Sequence, residues 1–273
     1  MEAAAADAPM VAGRSHPSLW VQAPELARRS IMRTLRQPAA IIPATTFPLI
    51  LVAINSVGLK AATTLPGFPT NSYVTFALAF AFIQAGLFAV IGTGQNLAED
   101  NQGGFFNRLQ LTPINPVALI AGQLAGTLAL GLFQASTYIA VGLIAGAHIE
   151  AGLPGALVLV ALSVAICLAF GSIGLAVGMR VDAPEKVQSL FPLLFVFLFL
   201  SSMNLPRNLI QTDWFREVAT YNPVSYMVEG LRSLLITGWD AEALALGFGC
   251  ALGILALGLT FASLGLKERM VRT

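Results

Sequence analysis

The sequence predicts an all-α integral membrane protein with six transmembrane helices and both termini cytoplasmic. Three observations lead there. Of the 273 residues, 56% are apolar and 11% are charged, whereas soluble domains average about 45–50% and about 25%. The apolar residues gather into six runs, most of them near the ~20 residues a helix needs to cross about 30 Å of hydrocarbon. Lysine and arginine are also distributed unevenly between the segments that separate the runs, which sets orientation.

The first run is 39–59 (AAIIPATTFPLILVAINSVGL) and the second 73–94 (YVTFALAFAFIQAGLFAVIGTG). The third, 117–147, is longer than one crossing needs and predicts a tilted or protruding helix. The fourth is 155–179. The fifth, 189–203, is short and needs Val187, Gln188 or later residues to complete it. The sixth is 241–266. With the N-terminus inside, the internal segments 1–38, 95–116, 180–188 and 267–273 hold eleven of the fifteen basic residues. Only Lys60, Arg207, Arg216 and Arg232 fall outside. An even number of crossings then returns the C-terminus to the same side. This divides the chain into a cytoplasmic segment 1–38, a six-span domain 39–266 and a tail 267–273. The domain carries a cytoplasmic loop at 95–116 and an external region at 204–240. No cleavable signal peptide is expected, because the first apolar run starts near Ala39 and continues into a full span.

Several function classes are excluded. A net charge of +1 offers no basic surface for nucleic acid. Cys167 and Cys250 lie inside apolar runs and read as small buried residues, so neither a disulfide framework nor a metal site is expected. The lysines Lys60, Lys186 and Lys267 follow Leu59, Glu185 and Leu266, so none completes the phosphate-cradling G-x-x-x-x-G-K-[ST] loop. There is no H-E-x-x-H, and His16 and His148 are too far apart to suggest a catalytic pair. The chain is not expected to be an enzyme. Ion-coupled carriers place ionisable residues inside the membrane, yet apart from Glu242 at the start of the last run these runs hold none. Their amides and hydroxyls, among them Thr45, Asn55, Gln84, Gln123 and Gln134, suit hydrogen bonds between helices. Gly122/Gly126, Gly142/Gly146 and Gly174/Gly178 are spaced for close helix packing.

Before the first run, PELARRSIMRTLRQPA reads as a basic helix. Arg29, Arg33 and Arg36 fall near one face, and Ile31, Met32 and Leu35 near another. Such a helix lies in the lipid interface, with Trp20 as an anchor; a charged flank that merely fixes topology has the same composition. The insert 95–116 is longer than the 2–8 residues a connection between antiparallel helices needs. It is also organised: Glu99 and Asp100, then Gly103-Gly104, then FFNRLQL, closed by Thr112-Pro113 and Asn115-Pro116. A short amphipathic helix with aromatic knobs suits docking into a groove on a partner; a loop resting on the headgroups reads the same way. In the outer segment, Asn222 is placed to cap a helix beginning at Pro223. Val224, Met227, Val228, Leu231, Leu234 and Leu235 form its apolar face. Ser225, Glu229, Arg232 and Ser233 lie largely opposite, Glu229 is spaced to pair with Arg232, and Gly238 ends the helix.

AEDNQGGFFNRLQLTP resembles the acidic–glycine–Arg-Leu–Thr-Pro loop of ABC-2-type membrane subunits, particularly the daunorubicin-resistance-like drug exporters. YNPVSYMVEGLRSLLITG, at 221–238, is similar to their Asn-Pro-x-x-Tyr segment before the last span. The resemblance implies the ABC-2 permease fold of the type V exporter kind. It also implies a half-transporter without ATPase activity, which works with a second permease, as homodimer or heterodimer, and with ABC ATPase subunits. ATP and magnesium would sit on that partner, and this chain would bind no cofactor. Carried over residue by residue, Glu99, Asp100, Gly103, Gly104, Arg108, Leu109, Thr112 and Pro113 would couple to the ATPase, although Asn101-Gln102 stand where many relatives are charged. Arg28, Arg29, Arg33 and Arg36 would belong to an interfacial helix that leans on the ATPase. Asn222, Pro223, Tyr226, Glu229 and Arg232 would belong to re-entrant helices gating the outer end; a helix lying on the outer leaflet is the plainer alternative.

The implied activity is export of a hydrophobic or amphipathic drug, natural product or lipid across a bacterial cytoplasmic membrane. Phe76, Phe80, Gln84, Phe88, Phe195 and Phe199 suit such a path, and bundle packing explains them equally well. Export of polysaccharide or lipid-linked glycan, and a non-transporting scaffold for an ATPase, are the alternatives.

Overall fold

In the computed structural model, which describes residues 19–104 and 115–272, every regular element among the described residues is helical. Five helices are long and apolar enough to cross a membrane. They are α2 (Pro38–Gly58), α3 (Tyr73–Gln102), α4 (Pro116–Ile144), α5 (Gly152–Gly178) and α10 (Ala241–Arg272). Ahead of them lies α1 (Leu19–Leu35). Between α5 and α10 come α6 (Pro184–Gln188), α7 (Phe191–Phe199), α8 (Asp213–Tyr221) and α9 (Pro223–Arg232). A wide π-type turn, Ser233–Thr237, prolongs α9.

An apolar helix without a polar face must be covered on all sides. That helix is α3, where Phe76, Phe80, Phe82, Ile83, Leu87 and Leu97 are fully buried. Its 30 residues extend about 45 Å, against a hydrocarbon core of about 30 Å. It is thus about 15 Å longer than that core, and its last turns carry Glu99 and Asp100. Gly104, at φ +65°, stops the helix in a conformation open chiefly to glycine.

The glycine pairs do different work. A Cβ on Gly174 would stand 2.1 Å from the Val90 carbonyl oxygen, and one on Gly178 2.8 Å from that of Gly94. This pair sets the close approach of α5 to α3. Gly122 and Gly126 seat α1 on α4, where added Cβ atoms would meet Leu26 at 2.5 Å and Ser30 and Thr34 at 2.6 Å. In the third pair only Gly142 is a contact, against Leu78. Gly146, at φ +85°, turns the chain after α4.

Polar residues of the spans answer specific backbone needs. Pro48 inside α2 has no N–H, so the carbonyl four residues earlier, at Ala44, loses its helical donor. Gln134 Nε2 and Tyr138 Oη of α4 donate to that oxygen at 3.0 and 3.3 Å. Neighbouring helices commonly re-satisfy such groups inside a membrane. The remaining surface of α2 is apolar and open, with Ile42, Ile50, Ile54 and Val57 exposed.

The fifth apolar run departs from the expected continuous helix. Only Phe191–Phe199 is a regular apolar helix here, nine residues long and thus about 13 Å. Pro184 and Pro192 restart the chain at the beginnings of α6 and α7, and α7 stops at Leu200. The broken segment nevertheless runs antiparallel along α3. Gln95 Nε2 donates to Gln188 Oε1 at 3.0 Å, and a Cβ on Gly94 would touch Val187. Phe88 meets Phe191 and Phe80 meets Phe199, at ring separations of 5.9 and 6.3 Å. Tyr73 Oη donates to the Asn204 carbonyl at 3.2 Å. From Gln95 to Tyr73, α3 rises about 33 Å, so the segment covers as much depth as a full crossing without being one helix.

Candidate functional site

Two polar constructions stand at opposite ends of the bundle. At the Arg-rich end, α1 lies across α4 and is pinned to the last turns of α3. Asp100 is the hub. It is 7% exposed, and its Oδ1 accepts from Arg29 Nη2 at 2.9 Å and Arg33 Nη1 at 2.7 Å. Its Oδ2 accepts from Gln123 Nε2 of α4 at 3.0 Å. Arg33 also donates to Glu99, and Ser30 Oγ donates to the Gln123 carbonyl at 3.1 Å. Asn101 Nδ2 donates to the carbonyls of Gly178 and Val181, tying in the end of α5. One carboxylate thus joins α1, α3 and α4 just before residues 105–114. Arg28 and Arg36 are exposed, as are Met32 and Leu35. The helix thus brings Arg29 and Arg33 to carboxylates of α3, with the Arg29 side chain still 44% exposed. Gly103 and Gly104 form the turn after α3. Arg108, Leu109, Thr112 and Pro113 lie outside the described residues.

At the other end, α9 begins as the sequence predicts, with Pro223 first and Asn222 Oδ1 accepting from the Val224 N–H at 2.9 Å. Its apolar face, Val224, Met227, Val228, Leu231, Leu234 and Leu235, is wholly buried. The opposite face is not a solvated one. Asn222, Ser225 and Arg232 are buried too, because they supply hydrogen bonds to the broken segment beside them. Asn222 Nδ2 donates to the carbonyls of Phe197 at 3.0 Å and Leu200 at 2.9 Å, capping the end of α7. Ser225 Oγ accepts from the Ser202 N–H at 3.0 Å. Arg232 donates to the Ser202 carbonyl at 2.7 Å and to the Met203 carbonyl. Its guanidinium carbon sits 3.5 Å above the Phe76 ring centroid, a desolvated cation–π contact. Positions 222, 225 and 232 thus form one helical stripe that satisfies backbone groups from Phe197 to Met203, at and beyond the end of α7.

The expected Glu229–Arg232 pair is not formed. Glu229 instead takes Arg207 in a two-pronged ion pair, with Arg207 Nε to Glu229 Oε1 at 2.7 Å. The Arg207 guanidinium also lies 4.8 Å from the Tyr226 ring centroid. Arg232 is drawn away because the open carbonyls of Ser202 and Met203 need donors and no helix N–H reaches them. Arg207, Ser202 and Gln123 were not singled out as site residues by the sequence; the regular 3–4 spacing of polar residues through 222–232 is the signal that could have pointed to a second buried face. An open cavity of about 410 Å³ lies outside this stripe, bordered by Arg207, Glu229, Arg232, Thr237 and Asp240.

Of the residues expected along a path, Phe76, Phe80, Gln84 and Phe88 fall at four-residue steps along α3, and Phe195 and Phe199 lie on α7. Phe76, Phe80 and Gln84 are fully buried, Phe88 and Phe195 half-buried, and Phe199 38% exposed. Gln84 falls between Phe80 and Phe88, and neither of its amide atoms has a hydrogen-bond partner among the described residues. Among the described residues, no group of His, Cys, Asp and Glu is placed to hold a metal ion.

Residues 22–236 match the family described as ABC-2 type transporter, a span from α1 through the π turn. The chain is 24% identical over 213 residues to the "Daunorubicin resistance ABC transporter permease protein DrrB1" of Streptomyces coeruleorubidus, covering 76% of this chain and 72% of the relative. It is 25% identical over 222 residues to the "Putative transport permease ycf38" of Porphyra purpurea, covering 79% and 74%. With five membrane-length helices and a match across most of its length, this multi-pass membrane protein belongs to the ABC-2 type transporter family.

Proposed function

We propose that the chain is the membrane-spanning permease subunit of an ATP-driven exporter that moves a hydrophobic or amphipathic compound, with the ATPase on a separate subunit. The observation that carries this reading, beside the family match, is the carboxylate latch at Asp100. It makes α1, α3 and α4 one mechanical unit at the end of α3, directly before residues 105–114 in the sequence. A partner pressing on that segment would move the central helix directly. In this reading residues 184–204 supply the sixth crossing, and both chain ends are cytoplasmic. A second permease completes the path, and the location is a bacterial inner membrane. The partner does conformational work only through different affinities for two arrangements of the permease. ATP and magnesium belong to that partner.

Gln84 supports an amphipathic cargo. A buried amide without partners is destabilising by about 1–3 kcal/mol, and in hydrocarbon no water relieves it. Phe80 and Phe88, one turn to either side of Gln84, touch Phe199 and Phe191 of α7, a short helix that ends in a turn held by side chains. Displacement of α7 would present a hydrogen-bonding amide between aromatic rings. Gln84→Leu is therefore expected to raise the apparent melting temperature by a few degrees while lowering transport several-fold. Unchanged transport in the stabilised variant would reduce Gln84 to packing.

The test of the function is reconstitution of the permease with its co-purified ATPase in vesicles, using daunorubicin, the compound named for one relative, as the probe. ATP-dependent daunorubicin movement, absent when the permease is omitted, is the expected result. ATP hydrolysis without movement of this or other amphipathic probes would favour a scaffold.

A further inference from the structure

We propose that the groove between α5 and α10 binds one anionic phospholipid, with an acyl chain along the groove and the phosphate on Arg180. The groove has a volume of about 450 Å³, within the usual range of small-molecule sites. Its walls are apolar: Ile173, Ala176 and Val177 of α5 against Ile254, Leu257 and Phe261 of α10. Its floor is the tight crossing of Gly258 on Ser172, where an added Cβ would stand 2.0 Å from the serine oxygen. Along the helices it runs about 10 Å and ends at a single charged side chain, Arg180.

The chemistry at that end selects the occupant. Arg180 Nη1 donates to the Ala176 and Phe261 carbonyls, both at 3.0 Å, so the guanidinium is held in place across the ends of both walls. Its Nε and Nη2 donate to no hydrogen-bond acceptor among the described residues. Glu268 forms a loose ion pair with Nη2 at 3.7 Å, longer than a hydrogen bond, and its side chain is 57% exposed. The Nε/Nη2 edge is the one that takes two oxygens of a phosphate at once. Asp182, two residues after Arg180, is paired with Arg269. A fixed, incompletely paired cation at the end of an apolar groove complements a lipid carrying net negative charge, worth about 5-fold in retention over a zwitterionic one.

The experiment is native mass spectrometry of the full chain released from detergent, titrated with phosphatidylglycerol or with phosphatidylcholine of the same acyl chains. Wild type is expected to retain phosphatidylglycerol about 5-fold better. Arg180→Gln should bring it to the phosphatidylcholine level, and Arg180→Lys should keep part of the preference. Leu257→Trp, which fills the groove from an exposed position, should lower retention of both lipids. Equal retention of the two lipids by wild type would overturn the proposal, as would unchanged phosphatidylglycerol binding in Arg180→Gln. If Arg180→Gln does not fold, unaltered retention by Leu257→Trp overturns it equally. The assay does not depend on transport or on a partner subunit.

Discussion

Asp100→Ala is expected to uncouple ATP hydrolysis from transport while leaving the bundle folded. The carboxylate is buried, yet its two arginine partners are not: their side chains are 44% exposed for Arg29 and 23% for Arg33. Solvent screening therefore discounts the ion pairs. The loss of three charge-assisted hydrogen bonds is expected to cost about 2 kcal/mol, not the larger figure for a fully buried pair. Glu99 still holds Arg33, so α1 is loosened rather than released, and Gly122 and Gly126 keep it seated on α4. The mechanical consequence is larger than the energetic one, because Asp100 bonds α1 and α4 from α3 at once. Transport per ATP hydrolysed should fall about 10-fold, an effect equivalent to about 1.4 kcal/mol of lost coupling. A double-mutant cycle with Arg33→Ala isolates the interaction. Because Arg33 also pairs with Glu99, the second substitution should add to the first, but by less than its effect alone, in both stability and coupling. Additive losses, or wild-type flux in Asp100→Ala, would remove the latch from the mechanism. Because part of the cluster is exposed, rising salt should weaken wild-type coupling toward that of the variant.

The parts of this architecture that were legible in the sequence are those governed by local rules. Apolar runs gave α2, α3, α4, α5 and α10 to within a few residues at most ends, since length and hydropathy suffice for a membrane helix. Asn222-Pro223 fixed the start of α9, because an N-cap followed by proline depends on the adjacent backbone alone. Partner choice was not legible. Glu229 and Arg232 have the spacing of a pair, yet each is claimed by a distant residue, Arg207 for one and the Ser202 and Met203 carbonyls for the other. The basic face of α1 read as a headgroup-facing surface, and its two inner arginines instead meet carboxylates some 70 positions later. The fifth run hid its break for a related reason. Composition counts apolar residues, but whether they form one helix depends on who satisfies the carbonyls at the break. Those donors lie on α9, more than 20 residues away.

Arg232 supplies the sharpest test of that last point. Arg232→Met keeps the length and apolar stem but leaves the carbonyls of Ser202 and Met203 without donors, at residues that are 0% and 1% exposed. Each buried acceptor without a partner costs about 1–3 kcal/mol, and the contact with the Phe76 ring is lost as well. A total of several kcal/mol exceeds what the turn at 200–204 can lose and still hold its place. The turn, not the whole bundle, should give way, because α3, α5 and α10 pack independently of it. Hydrogen exchange should report this directly. Amides of 198–204, including the Ser202 N–H held by Ser225, are expected to exchange at least 10-fold faster, while those within α5 stay protected. Asn222→Asp separates the two jobs of that residue. It retains an oxygen for the Val224 N–H but replaces the donor to Phe197 and Leu200 with a carboxylate facing two carbonyls. Exchange should therefore rise at the end of α7 and not at the start of α9. Arg232→Lys should fall between wild type and Met, since an ammonium is a point donor and cannot span both carbonyls with a planar fork. If 198–204 exchanges at the wild-type rate in Arg232→Met, then the turn is held by its own packing and α9 is no clamp. If the whole chain loosens together, the broken segment is as integral to the bundle as the long helices, and its displacement cannot be what opens a path past Gln84.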